Sequence, residues 1–144
     1  MKTILATLFL LLSLTAKASG FCEKKPFEPD FPAGLEGRYE LIGKDPTTGA
    51  AYSGYLAITT GKSGYGVGRV VAGEVLKGKA WIESCGPDEI KFLVAEYASA
   101  PVMKATCRLG ADGDNYYRAT CRTDSGTNTW QGLEAWFQNP DLAP

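Results

Sequence analysis

Between Arg118 and Trp136 the chain gathers its densest set of side chains able to recognise a partner: Arg118, Arg122, Trp130, Glu134 and Trp136. Trp and Arg dominate interface hot spots, and indoles flanked by charged hydrogen-bonding groups also suit a sugar ring. Period-2 alternation places Trp130, Glu134 and Trp136 on one face of a terminal strand and Leu133, Ala135 and Phe137 on the other. One register against the preceding strand sets Arg122 beside Trp130, Arg118 beside Glu134 and Tyr116 beside Trp136. These are a cation–π pair, an ion pair and an aromatic pair, expected on an outer sheet face that either satisfies itself or forms a recognition patch.

Other chemistry is thinner. The chain has no histidine, which removes Ser-His-Asp and Cys-His nucleophilic systems and the usual catalytic metal sites. Asp88-Glu89 and the Asp112/Asp114 pair sit in turn sequences, where carboxylates are common. Asp112-Gly113-Asp114-Asn115 has the alternating oxygens of a calcium loop but lacks the downstream Glu and flanking helices. Gly64-Tyr65-Gly66-Val67-Gly68-Arg69 has spaced glycines, yet β-type segments lie on both sides, whereas a dinucleotide fingerprint needs a following helix. The functional alternative is a small-residue window beside a ligand cavity, with Tyr65 as its wall. No catalytic residue, metal or cofactor is assigned.

The elements that must position these residues are read from a doubled hexapeptide. Lys104-Ala105-Thr106-Cys107-Arg108-Leu109 returns as Arg118-Ala119-Thr120-Cys121-Arg122-Thr123, with turn formers between the copies. The two copies form a β-hairpin with Ala105, Cys107, Ala119 and Cys121 inward. A register that sets Arg108 against Arg118 pairs like charges and is disfavoured. The alternative sets Arg108 against Thr120, Thr106 against Arg122, Lys104 against Asp124 and Cys107 against Cys121, and leaves Gly113-Asp114-Asn115 as the loop. Four cysteines allow three connectivities. The hairpin favours Cys107–Cys121 with Cys22–Cys85, and the rival is Cys85–Cys107 with Cys22–Cys121. No C-x-x-C spacing points to zinc.

Residues 1–18 read as a signal peptide: Lys2, a short apolar core too brief to span a bilayer, and Ala16-Lys17-Ala18 as the cleavage pattern. The whole chain carries 15 Lys and Arg against 16 Asp and Glu; losing Lys2 and Lys17 leaves 13 against 16, a mature charge of −3. That balance gives no reason to expect nucleic acid or an anionic membrane surface, and no membrane insertion is expected after cleavage. Residues 19–35 form a Pro-rich arm pinned by Cys22, since Pro26, Pro29 and Pro32 exclude a central strand. Residues 36–140 form the all-β domain, with strands expected at 37–42, 51–60, 65–71, 74–76, 79–84, 90–97, the hairpin and 129–138. Turns fall at 45–49, 61–64, Lys77-Gly78 and 86–88.

About eight short strands joined by hairpin-sized turns indicate one antiparallel meander, closed as a small barrel or folded as a sandwich, and stabilised by disulfides. Gly37-Arg38-Tyr39 at its opening resembles the G-x-W start of calycins, the lipocalin and avidin barrels, with Tyr in place of Trp. That resemblance implies an up-and-down barrel; the final strand lacks the closing arginine, and no site residue is carried over. The expected protein is exported, periplasmic or secreted, and is a non-enzymatic binding module for a small ligand, glycan or protein. The alternatives are an exported enzyme inhibitor that inserts the 61–68 hairpin, and a carboxylate-dependent hydrolase.

Overall fold

The computed structural model describes residues 21–45, 48–111, 116–125 and 132–142. The expected signal peptide, the Gly113-Asp114-Asn115 loop and Trp130 lie outside them. Within them the alternating pattern is realised as nine strands: β1 (Cys22–Lys24), β2 (Gly37–Lys44), β3 (Ala51–Thr60), β4 (Tyr65–Val71), β5 (Glu74–Cys85), β6 (Ile90–Tyr97), β7 (Met103–Ala111), β8 (Tyr117–Asp124) and β9 (Gly132–Gln138). From β2 to β9 each strand pairs antiparallel with its sequence neighbours, and β9 returns to β2. The sheet therefore closes as an eight-stranded up-and-down barrel, which removes the free edges of an open sheet. β1 is the extra strand, paired with the last three residues of β5.

The β7–β8 register is the one that avoids opposed arginines: Arg108 faces Thr120, Thr106 faces Arg122 and Lys104 faces Asp124. It puts Cys107 opposite Cys121, and the two are joined by a disulfide inside the barrel. Cys22–Cys85 is the second bridge and fastens β1 to the outside of β5. Two disulfides suit an oxidising environment.

One turn expectation fails. Lys77-Gly78 is not a turn; it runs through the middle of β5, which is one continuous strand. The glycine is there for close approach. A Cβ on Gly78 would stand 2.1 Å from the Glu96 carbonyl oxygen of the neighbouring strand. Gly43 plays a similar part, because the Tyr52 ring lies across it where a Cβ would be.

The interior is filled by side chains. Small residues at Ala80, Ala95, Ala105 and Ala119 leave room for Tyr39, Tyr97 and Trp136, all buried. Eight strands enclose a space about wide enough for such packing. The arm crosses the end of the barrel where β2 begins and β9 finishes. It offers main-chain carbonyls to inward-pointing groups: Tyr65 Oη donates to Phe31 O (2.9 Å), Tyr117 Oη to Ala33 O (2.8 Å) and Gln138 Nε2 to Gly34 O (2.8 Å). Tyr39 Oη donates to Leu35 O. This is the arm end; the opposite, loop end is where β2, β4, β6 and β8 finish.

Candidate functional site

Two polar assemblies stand out, one inside the wall and one outside. The inner one is built on β4 and β9. Tyr65, Val67 and Arg69 share the inward side of β4, so Arg69 is carried into the barrel with its apolar neighbours. On β9 the inward residues are Gly132, Glu134 and Trp136. Arg69 donates to Glu134 Oε1 through Nη2 at 2.6 Å and through Nε at 3.1 Å. Tyr52 Oη donates to the same oxygen at 2.8 Å, and Trp136 Nε1 donates to Oε2 at 2.9 Å. Both carboxylate oxygens are thus bonded where the Glu134 side chain is fully buried and Arg69 nearly so, the condition under which a buried ion pair is tolerated.

The electrostatics follow from burial. Desolvation would lower the Arg69 guanidinium, but the Glu134 carboxylate and the Tyr52 and Tyr97 hydroxyls outweigh it and hold it above its ordinary value. Burial, reinforced by Glu134, pushes the Tyr52 and Tyr97 phenols well up; Arg69 opposes this only in part. Each of these groups is therefore locked in one protonation state. The assembly fixes β3, β4 and β9 to one another.

This takes Glu134 and Trp136 out of the expected outer Trp patch, whose other indole, Trp130, lies outside the described residues. β9 lies against β8 with Arg118 opposite Phe137, Ala119 opposite Trp136 and Cys121 opposite Glu134. That register is shifted by three residues from the expected pairing, and a slip by an odd number exchanges the faces of a strand. Glu134 and Trp136 are inside, fully buried, while Leu133 is 56 % exposed on the outside. Arg118 and Arg122 stay on the outer face of β8, away from Glu134 and Trp136, with Arg118 over the Phe137 ring at 5.9 Å. Tyr65 does line a groove, together with Gly64 and Gly66. It is buried under the arm, edge-on to Phe27 at 5.2 Å between ring centres.

The outer assembly surrounds Trp81, a residue absent from the sequence candidates. Trp81 points outward from β5, opposite Val94, which is fully buried although it also faces outward. Its indole donates to Glu83 Oε1 at 2.8 Å. Three ammonium groups lie around the ring: Lys24 of β1 at 4.6 Å, Lys104 of β7 at 5.9 Å and Lys79 at 6.0 Å from its centre. Lys79 also meets Glu96 at 3.2 Å in a largely exposed pair.

Trp81 forms part of the wall of a groove of about 990 Å³, bounded by the arm, the turn at Gly61-Lys62-Ser63-Gly64 and β5. The groove opens where β4 has ended and β1 has taken over as the neighbour of β5. Phe27, Phe31 and Ile82 supply apolar surface within it. Its lining includes five lysines and two glutamates, a positive balance in a chain whose overall charge is slightly negative. A second groove of about 380 Å³ is lined by residues of β2 to β5 and Leu142, with Tyr55, Val70 and Val75 exposed along it. The Cys22, Glu83, Cys85 cluster offers no metal site, because both sulfurs are in the disulfide.

No family model matches the chain, and no curated protein sequence does. Among solved structures it is similar to a redesigned β-barrel, at 16% identity over 73% of this chain and 90% of that one, with a TM-score of 0.49. Nothing about function follows from that likeness.

Proposed function

We propose that this protein is an exported, periplasmic or secreted, non-enzymatic binding module, and that it holds an anionic ligand in the groove between the arm, the 61–64 turn and β5. The observation that carries the reading is the collar of Lys24, Lys79 and Lys104 around Trp81, with the indole in the wall of a groove of ligand size. Apolar surface at Phe27 and Phe31 supports a ligand that is amphipathic as well as anionic: an acidic glycan, a small organic acid or an acidic protein segment. Export is supported by the leader pattern of residues 1–18 together with the two disulfides. The inhibitor and hydrolase alternatives gain no separate support, since the 61–64 turn is a wall of this groove and the inner carboxylate is bonded on both oxygens.

The test is an NMR titration of the mature protein with an oligouronate, a medium-chain fatty acid and a poly-glutamate peptide. One of these should shift the Trp81 indole and Phe27 resonances saturably, with affinity falling as salt rises. The Lys24→Glu/Lys79→Glu variant should lose the response at an unchanged melting temperature. Equal binding by the variant, or no saturable shift with any of the three, ends the proposal.

A further inference from the structure

The two ends of the barrel treat their hydroxyls differently. At the arm end Tyr39, Tyr65 and Tyr117 each donate to a carbonyl of the arm. At the loop end the Tyr97 and Thr123 hydroxyls are fully buried and make no hydrogen bond among the described residues. Buried polar groups are almost always paired with protein or with ordered water, so two orphans in one region ask for an explanation.

They do lie in one region. Tyr97 ends β6 opposite Met103, and Thr123 on β8 stands opposite Ala105, so the two straddle the start of β7 on its inward side. Tyr97 feels the charges of Glu134 and Arg69 and the Tyr52 hydroxyl. Thr123 is the next inward residue after Cys121, whose cross-strand partner is Glu134. Tyr97 therefore borders the Arg69–Glu134 pair, and Thr123 stands opposite Gly132, two residues along β9 from Glu134.

We propose that the loop end of the barrel contains an internal site in which Tyr97 Oη and Thr123 Oγ1 together bind a small uncharged molecule through its hydrogen-bonding oxygen. The site takes the place that the arm carbonyls fill at the other end. An uncharged occupant is required because Arg69 and Glu134 already neutralise each other, and a further ion would be buried without a counter-charge. The shared chemistry is an oxygen that accepts, as in water or the hydroxyl of a small alcohol. This site is separate from the lysine groove and does not rest on it.

The experiment measures long-lived internal water by oxygen-17 relaxation dispersion and water-to-protein NOEs, in the native protein and in Tyr97→Phe and Thr123→Val. 1-Propanol is then titrated as a probe for an alcohol occupant. A long-lived water near Tyr97 that both variants lose, each melting lower than the parent, establishes the site with water in it. Saturable shifts confined to the surroundings of Tyr97, Thr123 and Glu134 on adding 1-propanol establish it as a site for a small alcohol. The proposal is overturned if no long-lived water and no saturable shift appear, or if the water persists in both variants. Variants that melt at or above the parent overturn it as well, because removing an unpaired hydroxyl costs nothing. If Tyr97→Phe fails to fold, Thr123→Val carries the test alone.

Discussion

Trp81 and Trp136 each donate the indole N–H to a glutamate two residues away in the same strand, Glu83 at 2.8 Å and Glu134 at 2.9 Å. The local arrangement is nearly the same, but one pair is on the outer wall and the other is in the core. Outside, the cations near the pair are three lysines from three strands at 4.6 to 6.0 Å from the ring, all in reach of water. Inside, the cation is a single guanidinium forked onto the carboxylate at 2.6 and 3.1 Å. The difference teaches that a Trp–Glu pair has no fixed role. Water makes the outer charges cheap to move and available to a ligand, while its absence makes the inner ones immobile and structural.

The largest effect should therefore come from the inner pair. Glu134→Gln keeps the shape of the side chain but leaves Arg69 as an uncompensated charge in the core, at a cost of roughly 3–5 kcal/mol. Chemical denaturation of the variant should show the midpoint falling with little change in slope. Adding Arg69→Met to it should recover a good part of the loss, because the stranded charge is then gone. A Glu134→Gln protein as stable as its parent would mean that the inner pair is no more structural than the outer one.

Alkali should sharpen the same contrast by a smaller amount. The Tyr97 phenol is raised in the folded protein by burial first and by Glu134 second. Between the ordinary tyrosine value of about 10 and the higher native one, the unfolded chain loses a proton that the native state keeps. Stability is thus fully present below about pH 10 and declines above it, by about 1.4 kcal/mol per pH unit for one such group. Melting curves taken on either side of pH 10 check this, and Tyr97→Phe should flatten the alkaline slope. A flat profile in the parent would show that the inner hydroxyls meet solvent.

Much of this barrel could be read from the chain, for reasons that name their own limits. The extents of β3, β4 and β6 followed from turn formers at both ends, and like-charge avoidance at Arg108 and Arg118 was enough to select the β7–β8 register. Charge matching of the same kind misplaced β9, because it set Glu134 beside Arg118 on the outer face. A contrary signal was present in β4, where Arg69 shares its face with Tyr65 and Val67 and so required an inward acid to match it. Gly78 was misread as a turn because close approach of a neighbouring backbone leaves no local mark in a sequence. The lysine collar was not legible at all. Lys24, Lys79 and Lys104 lie far apart in the chain, and only the pairing of β1 with β5, of β5 with β6 and of β6 with β7 assembles them around Trp81.

The smallest expected effect is the most direct challenge to the comparison. Glu83 accepts the Trp81 indole bond and stands opposite Lys24 across the β1–β5 pair. If the outer pair is as loosely held as its surroundings imply, Glu83→Gln should change stability by no more than about 0.5 kcal/mol, since the half-buried amide oxygen can still accept from the indole. Removing one negative charge from beside the lysine collar should at the same time tighten binding of whichever anion the groove takes, by roughly two- to five-fold at low salt, with the gain shrinking as salt is added. Calorimetric titration paired with thermal melting reads both quantities on one preparation. A Glu83→Gln protein that lost stability on the scale of Glu134→Gln would make the outer pair structural too, and Trp81 would then be a fastening for β1 rather than a wall of a binding groove.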